Sequence, residues 1–190
     1  MRFLFVTFCF IWSSHAFCDE ADSVVDLLNK DGWVVHSGSC EFDWIPLKIE
    51  SHGSQGKDSV SAIALTDCSE KKLNAEALAK LRHVHVIVDF SGLTDDQCLA
   101  SINPNAPLTV LLVPRSQITD KGIRSITKFA GLQHLDLYGT ALTNDAVDSL
   151  LKLKYLRSLN IHSTKISKQN VERIRRELPF CRMLNFDWNF

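Results

Sequence analysis

Apolar and polar residues alternate in short bursts through the C-terminal two-thirds of the chain, and the bursts recur at a nearly constant interval. Leu108, Leu132 and Leu156 each open a stretch in which apolar residues fall three and five positions later. The second of those falls at Leu65, Val88, Val113, Leu137 and Ile161, with spacings of 23, 25, 24 and 24. Two residues earlier stand Ile63, Val86, Leu111, Leu135 and Leu159. A period of two predicts short strands that turn both side chains into one interior. Five residues beyond come Leu93, Ile118, Leu142 and Ile166, with Leu73 in the first unit. Next is a residue suited to cap a helix, Asn74, Thr94, Thr119, Thr143 or Ser167, whose side-chain oxygen can accept from free helix N–H groups. Thr94 and Gln97 form a capping-box pair. Helix-spaced apolar residues follow: Cys98 and Ile102; Ile123, Ile126 and Phe129; Val147, Leu150 and Leu153; Val171, Ile174 and Leu178. Each unit thus reads as one strand, a turn and one helix, with successive strands parallel.

Three residues after the second strand hydrophobe sit Cys68, Ser91, Ser116, Thr140 and Thr164. A small polar group there is expected to bond the backbone of the neighbouring turn, since buried amides and carbonyls need partners. The full pattern is L-x-x-L-x-L-x-x-T-x-[IL]-[ST]-[DN]-x-[GA]. Its best copies are the run from Leu135 to Ala146 and Ile118-Thr119-Asp120-Lys121-Gly122. It resembles the secreted bacterial leucine-rich-repeat family, which is similar to the cysteine-containing repeats of F-box partners. The resemblance implies an α/β solenoid: a right-handed superhelix shaped as a short horseshoe, with a parallel sheet on its concave face and helices on its convex face. Pro114 directly after a strand, and Gln97 and Asn170 where a small residue is usual, depart from the family pattern. No F-box-like segment is present.

The first residues read as processing information. One Arg precedes an apolar run from Phe3 to Trp12, and Ser14-His15-Ala16 fits a signal-peptidase site. Residues 1–16 are therefore expected to be a signal peptide, and the mature protein to be exported, periplasmic or secreted. The run is shorter than the roughly 20 apolar residues of a membrane-spanning helix. Lipidation at Cys18 is disfavoured, because Phe17 and His15 break the small-residue pattern it requires. Residues 17–59 read as an N-terminal cap, with a helix at 21–30 and strands at 33–36 and 47–49, because an end unit would otherwise expose its apolar face. Residues 60–190 hold about five repeats and a C-terminal cap, with a last strand at 183–186 and Trp188 and Phe190 over the open edge.

Export makes the cysteines informative. Cys68, Cys98 and Cys181 fall at inward positions, where cysteine acts as a small hydrophobe. Cys18 and Cys40 remain as the candidate disulfide. No C-x-x-C spacing suggests a zinc knuckle. Net charge is −1, from 21 basic and 22 acidic residues, which argues against a nucleic-acid partner. Mixed charges such as Arg173, Arg175 and Arg176 beside Glu172 and Glu177 read as a solvated helix face.

Alternation sends the residues flanking the strand hydrophobes onto the opposite face. On this alignment the outward set is His85, Ile87 and Asp89; Val110, Leu112 and Pro114; His134, Asp136 and Tyr138; and Asn160 and His162. Ile87, Val110, Leu112 and Pro114 make an apolar centre bordered by polar and aromatic groups, the composition of a partner site. Leu112 and Tyr138 are the expected central contacts; the plainer reading has Ile87 and Leu112 as β-formers or covered by a loop. Neighbouring strands of a flat sheet do not converge tetrahedrally, so no metal site and no cofactor are expected. No nucleophile elbow or phosphate-binding loop is present. The reading is a non-catalytic module that binds a protein through its concave face. A small exported hydrolase or a glycan-binding protein using that face is the alternative.

Overall fold

The structure is a computed structural model that describes residues 34–37, 40–42, 47–49, 60–65, 78–79, 84–89 and 92–184, the first four segments as backbone only. Four strands come first: β1 (Val34–Ser37), β2 (Cys40–Phe42), β3 (Leu47–Ile49) and β4 (Val60–Leu65). β2 and β3 pair with each other, while β1 lies antiparallel on β4. β4 then begins a parallel series with β5 (Val86–Asp89), β6 (Val110–Leu112), β7 (His134–Asp136), β8 (Ser158–Asn160) and β9 (Arg182–Leu184), side by side in chain order. Between them run α1 (Asp96–Ser101), α2 (Asp120–Ile126), α3 (Val147–Leu150, entered through a 3-10 turn at Asn144–Ala146) and α4 (Lys168–Glu177). The strand–turn–helix unit and its parallel stacking are as the apolar spacing predicts. The expected signal segment, the helix at 21–30, the loop residue Cys68, and Trp188 and Phe190 lie outside the described residues.

The register makes the repeat stricter than the sequence alignment. Ile63, Ile87, Leu111, Leu135, Leu159 and Met183 are successive partners across the sheet, each 24 residues from the last. The unit at β5 therefore lies one residue out of phase with the apolar spacing of the sequence. Ile87, not Val86, faces inward with Leu111, and Asp89, not Val88, takes the position of Val113 and Leu137. The slip carries through the turn. Asp95 rather than Thr94 caps α1, its carboxylate accepting from the Cys98 amide at 2.9 Å. Thr94 instead occupies the inward place of Ile118 and Leu142, where it is fully buried and donates to the Asp89 carboxylate.

Inward strand residues and inward helix residues share one core. Leu111, Leu135 and Leu159 pack in the same buried cluster as Ile123, Ile126, Leu150 and Ile174. Cys98 and Cys181 are buried free thiols, as their inward spacing predicts. The small hydroxyls, however, bond within their own units. Ser116, Thr140 and Thr164 donate to the carbonyls of Val113, Leu137 and Ile161, three residues back, at 2.7–2.8 Å. These bonds tighten each turn and do not link it to the next.

Units are stitched one residue beyond the cap. Asp96 at the start of α1 accepts from the Thr119 amide and hydroxyl, at 2.8 and 2.6 Å. Asp120 at the start of α2 does the same for Thr143, at 2.8 and 2.6 Å. Asn144 accepts from the Ser167 amide at 2.9 Å. Each cap residue, while holding its own helix, is thus held by the preceding helix. A carboxylate at a helix start is favourable in any case, and here it also satisfies a turn amide in the next unit. Lys168 stands fourth in this series, where no acceptor is offered onward.

Candidate functional site

On the face turned away from the helices, β5 and β6 present Val86, Val88, Val110 and Leu112, and all four are buried. Pro114 is buried as well. With these residues buried, the exposed apolar centre expected from the sequence is not found among them. Leu112, 5% exposed, is not available as a central contact. Ile87 and Asp89 leave the outward set altogether, being inward by register. His85 precedes β5, half-buried, and its carbonyl accepts the Thr109 and Val110 amides. Of the candidate disulfide, Cys18 lies outside the described residues and Cys40 is described only as backbone of β2.

The remaining residues do come together, on β7 and β8. His134 pairs in register with Ser158, and its Nδ1 lies 2.8 Å from the serine hydroxyl. Burial, and then the positive charge of Arg157, hold its imidazole below the ordinary histidine range. Asp136 pairs in register with Asn160 and is buried beside it, accepting the Asn160 side-chain NH₂ at 3.1 Å. The other oxygen of Asp136 accepts the Tyr138 amide at 2.9 Å, and the Asn160 side-chain oxygen Oδ1 accepts the His162 amide at 3.2 Å. Two buried polar side chains thus each fix the backbone two residues onward. Both act on residues that carry rings.

Those rings stack. Tyr138 and His162 lie with centroids 6.0 Å apart and planes 7° from parallel. On the other side of Tyr138 the Arg115 guanidinium sits 5.6 Å from the ring centroid, within cation–π range. Arg115 belongs to the preceding turn and takes a left-handed backbone (φ 55), as do Gly139 (φ 67) and Ser163 (φ 57) at the same place in the next two turns. Its amide bonds the Tyr138 carbonyl, and the Gly139 amide bonds that of His162. Arg115, Tyr138 and His162 therefore form a row across three units at the ends of the strands, with Tyr138 half-buried and the other two exposed. The sequence reading included Tyr138 and His162 but missed Arg115, whose only signal is its place beside Pro114 in a turn.

Groups with catalytic character elsewhere have structural tasks. Burial pushes the Cys181 thiol up to about 11, which keeps it protonated and a poor nucleophile at neutral pH. Burial also lowers the Lys128 ammonium from its ordinary range. Its hydrogen bonds go to the Ala100 and Ile102 carbonyls at 3.1 and 2.7 Å, so it closes the C-terminus of α1. Among the described residues no three His, Cys, Asp or Glu side chains are grouped to hold a metal ion, and no helix is long and apolar enough to cross a membrane.

No protein-family model matches the chain, and no curated protein matches it. Among solved structures it is similar to a leucine-rich-repeat protein of Leptospira interrogans, at 18% identity and a TM-score of 0.42. The likeness covers 60% of this chain and 34% of that one, so the chain spans about a third of the length of that relative. The repeat architecture described above rests on strand register and 24-residue spacing.

Proposed function

We propose that this chain is a non-catalytic leucine-rich-repeat module, a short horseshoe, that binds a protein partner outside the cytoplasm through the rim of its concave sheet face. The observation that carries the reading is the row of Arg115, Tyr138 and His162. Side chains from three units line up there: a buried Asp136–Asn160 pair fixes the backbone of Tyr138 and His162, and the Arg115 amide is held by the Tyr138 carbonyl. Arg and Tyr are the residue types that dominate binding energy at protein interfaces, and rigid rings lose little entropy on contact. Export rests on the N-terminal sequence alone, in which a basic start, an apolar run and Ser14-His15-Ala16 succeed one another.

The test compares the chain with a Tyr138→Ala/His162→Ala variant as bait in an extract of the exporting cell, followed by titration of the recovered partner. The wild type should retain a partner that the variant binds more weakly by about 2 kcal/mol or more, the scale of an interface hot spot. Matching thermal midpoints would show that the variant remains folded. Equal affinities for the two baits would remove the row from the interface.

A further inference from the structure

The turns that lead from helix to strand in the last two units carry the largest exposed apolar side chains among the described residues. Tyr155 is 69% exposed and Phe180 is 93% exposed. Each is the second residue of its turn, Lys154–Tyr155 before β8 and Pro179–Phe180 before β9. Each also lies two residues before a member of one hydrogen bond, in which the Arg182 amide donates to the Arg157 carbonyl at 2.8 Å. That bond sets the turns side by side, so two aromatic tips project from one edge of the molecule. A single exposed apolar residue calls for no explanation. Here the same turn position is aromatic twice running, whereas the two preceding units place Asn105 and Gly131 there.

The charge around the tips is one-sided. Residues 151–182, which run from one turn through β8 and α4 to the next, contain nine Lys or Arg against Glu172 and Glu177, with Lys165 and Lys168 at the far end of α4 from the tips. The rest of the chain has 12 basic and 20 acidic residues. Both glutamates are engaged, Glu172 by Arg175 at 2.5 Å and Glu177 by Arg173 at 2.8 Å. Lys152, Lys154, Arg157, Arg176 and Arg182 are exposed and, among the described residues, make no ion pair. The near-neutral total therefore hides a cationic, aromatic edge on an otherwise acidic chain.

We propose that this edge docks on an anionic lipid surface, with Phe180 and Tyr155 entering the headgroup layer and the surrounding cations facing lipid phosphates. A soft interface accepts projecting side chains with no matching pocket, and aromatic rings settle at headgroup depth. Long Lys and Arg stems reach sideways to keep their charge among the headgroups. Tips on turns suit such a layer better than they suit a protein groove, which is filled by side chains from a continuous helix or strand. The edge is separate from the Arg115–Tyr138–His162 row, so either reading can fail alone.

The experiment is flotation of the full chain with vesicles of phosphatidylcholine alone or phosphatidylcholine mixed with phosphatidylglycerol. Wild type and a Tyr155→Ser/Phe180→Ser variant carry the same N-terminus, so the difference between them reports the edge. Wild type should bind the anionic vesicles, more weakly as salt rises, and the aromatic variant about tenfold more weakly than wild type. An Arg157→Glu/Arg182→Glu variant should lose the preference for anionic over neutral vesicles. Equal binding by wild type and the aromatic variant, or absence of binding to anionic vesicles, overturns the proposal. Loss in the charge variant with none in the aromatic variant also overturns it, and assigns the edge to a soluble acidic partner.

Discussion

The Thr94 hydroxyl donates to the Asp89 carboxylate inside the hydrophobic core, at two positions that later units fill with Val113 and Ile118, Leu137 and Leu142, and Ile161 and Ile166. Both are fully buried. A buried carboxylate is tolerable only while its hydrogen bonds are made. Thr94→Val keeps the shape and removes the donor, and should destabilise the fold by about 1.5–3 kcal/mol, the scale of a hydrogen bond to a charged group. Urea unfolding at neutral pH measures this as a lower midpoint with unchanged slope. Thr94→Ser, which retains the hydroxyl, should lose less than Thr94→Val. A Val variant as stable as wild type would show that the bond contributes nothing.

The stitching between units gives a graded series. Asp120→Ala removes both bonds to Thr143 and should cost about 2 kcal/mol. Asp96→Ala, which removes the equivalent pair to Thr119, should cost about the same. Asn144→Ala loses one neutral acceptor and should cost about 1 kcal/mol. Lys168→Ala, with no onward partner, should fall within about 0.5 kcal/mol of wild type. Denaturation of the four variants orders them; a Lys168 effect as large as that of Asp120 would contradict the stitching role.

Gly122 reverses the usual helix rule. Alanine in place of a helical glycine ordinarily stabilises by about 1 kcal/mol. A Cβ at Gly122 would collide with the Asp96 carboxylate and lie 3.1 Å from the Ile118 methyl. Gly122→Ala should therefore destabilise by about 1–3 kcal/mol, as overpacking does. Thermal unfolding decides the sign, and an increase in midpoint would show that Asp96 can move aside at little cost.

His134 links stability to pH. Its folded pKa is depressed, mainly by burial and further by Arg157. The unfolded chain therefore takes up this proton first, near pH 6.5. The contribution is complete above that value and is lost as pH falls through it toward the lower folded pKa, so stability rises with pH across that window. His134→Gln should flatten this part of the profile in urea melts taken from pH 5 to pH 8. A variant profile parallel to the wild type would show that His134 does not carry the dependence.

The sequence made the repeat visible because the units at β7 and β8 are apolar on one strand face and polar on the other, as with Leu135 and Leu137 against His134 and Asp136. At β5 that contrast fails. Val84, Val86 and Val88 alternate as well as Ile87 does, so two phases fit, and the aspartate at 89 argues for the wrong one. Pattern reading sends a charge to solvent, while the fold keeps this one in the core with a hydroxyl beside it. An even 24-residue spacing, held against the aspartate, would have selected the right phase. The burial of Val110 and Leu112 had no such signal, since periodicity separates the two faces of a strand and says nothing of what later lies over either. Tyr138 and His162 were legible as members of one column; their stack with Arg115 depends on a left-handed turn that no residue type announces.

The direction of the inter-unit bonds has a consequence in time. Every acceptor in the series, Asp96, Asp120 and Asn144, is made 23 residues before the amide it serves. A chain growing from its N-terminus therefore always ends in a solvated carboxylate or amide awaiting a donor, a group that water satisfies at little cost. The bare amides of a new turn meet an acceptor already in place. Each unit that forms becomes the template for the next, and the stack can lengthen one turn at a time without leaving a turn amide stranded.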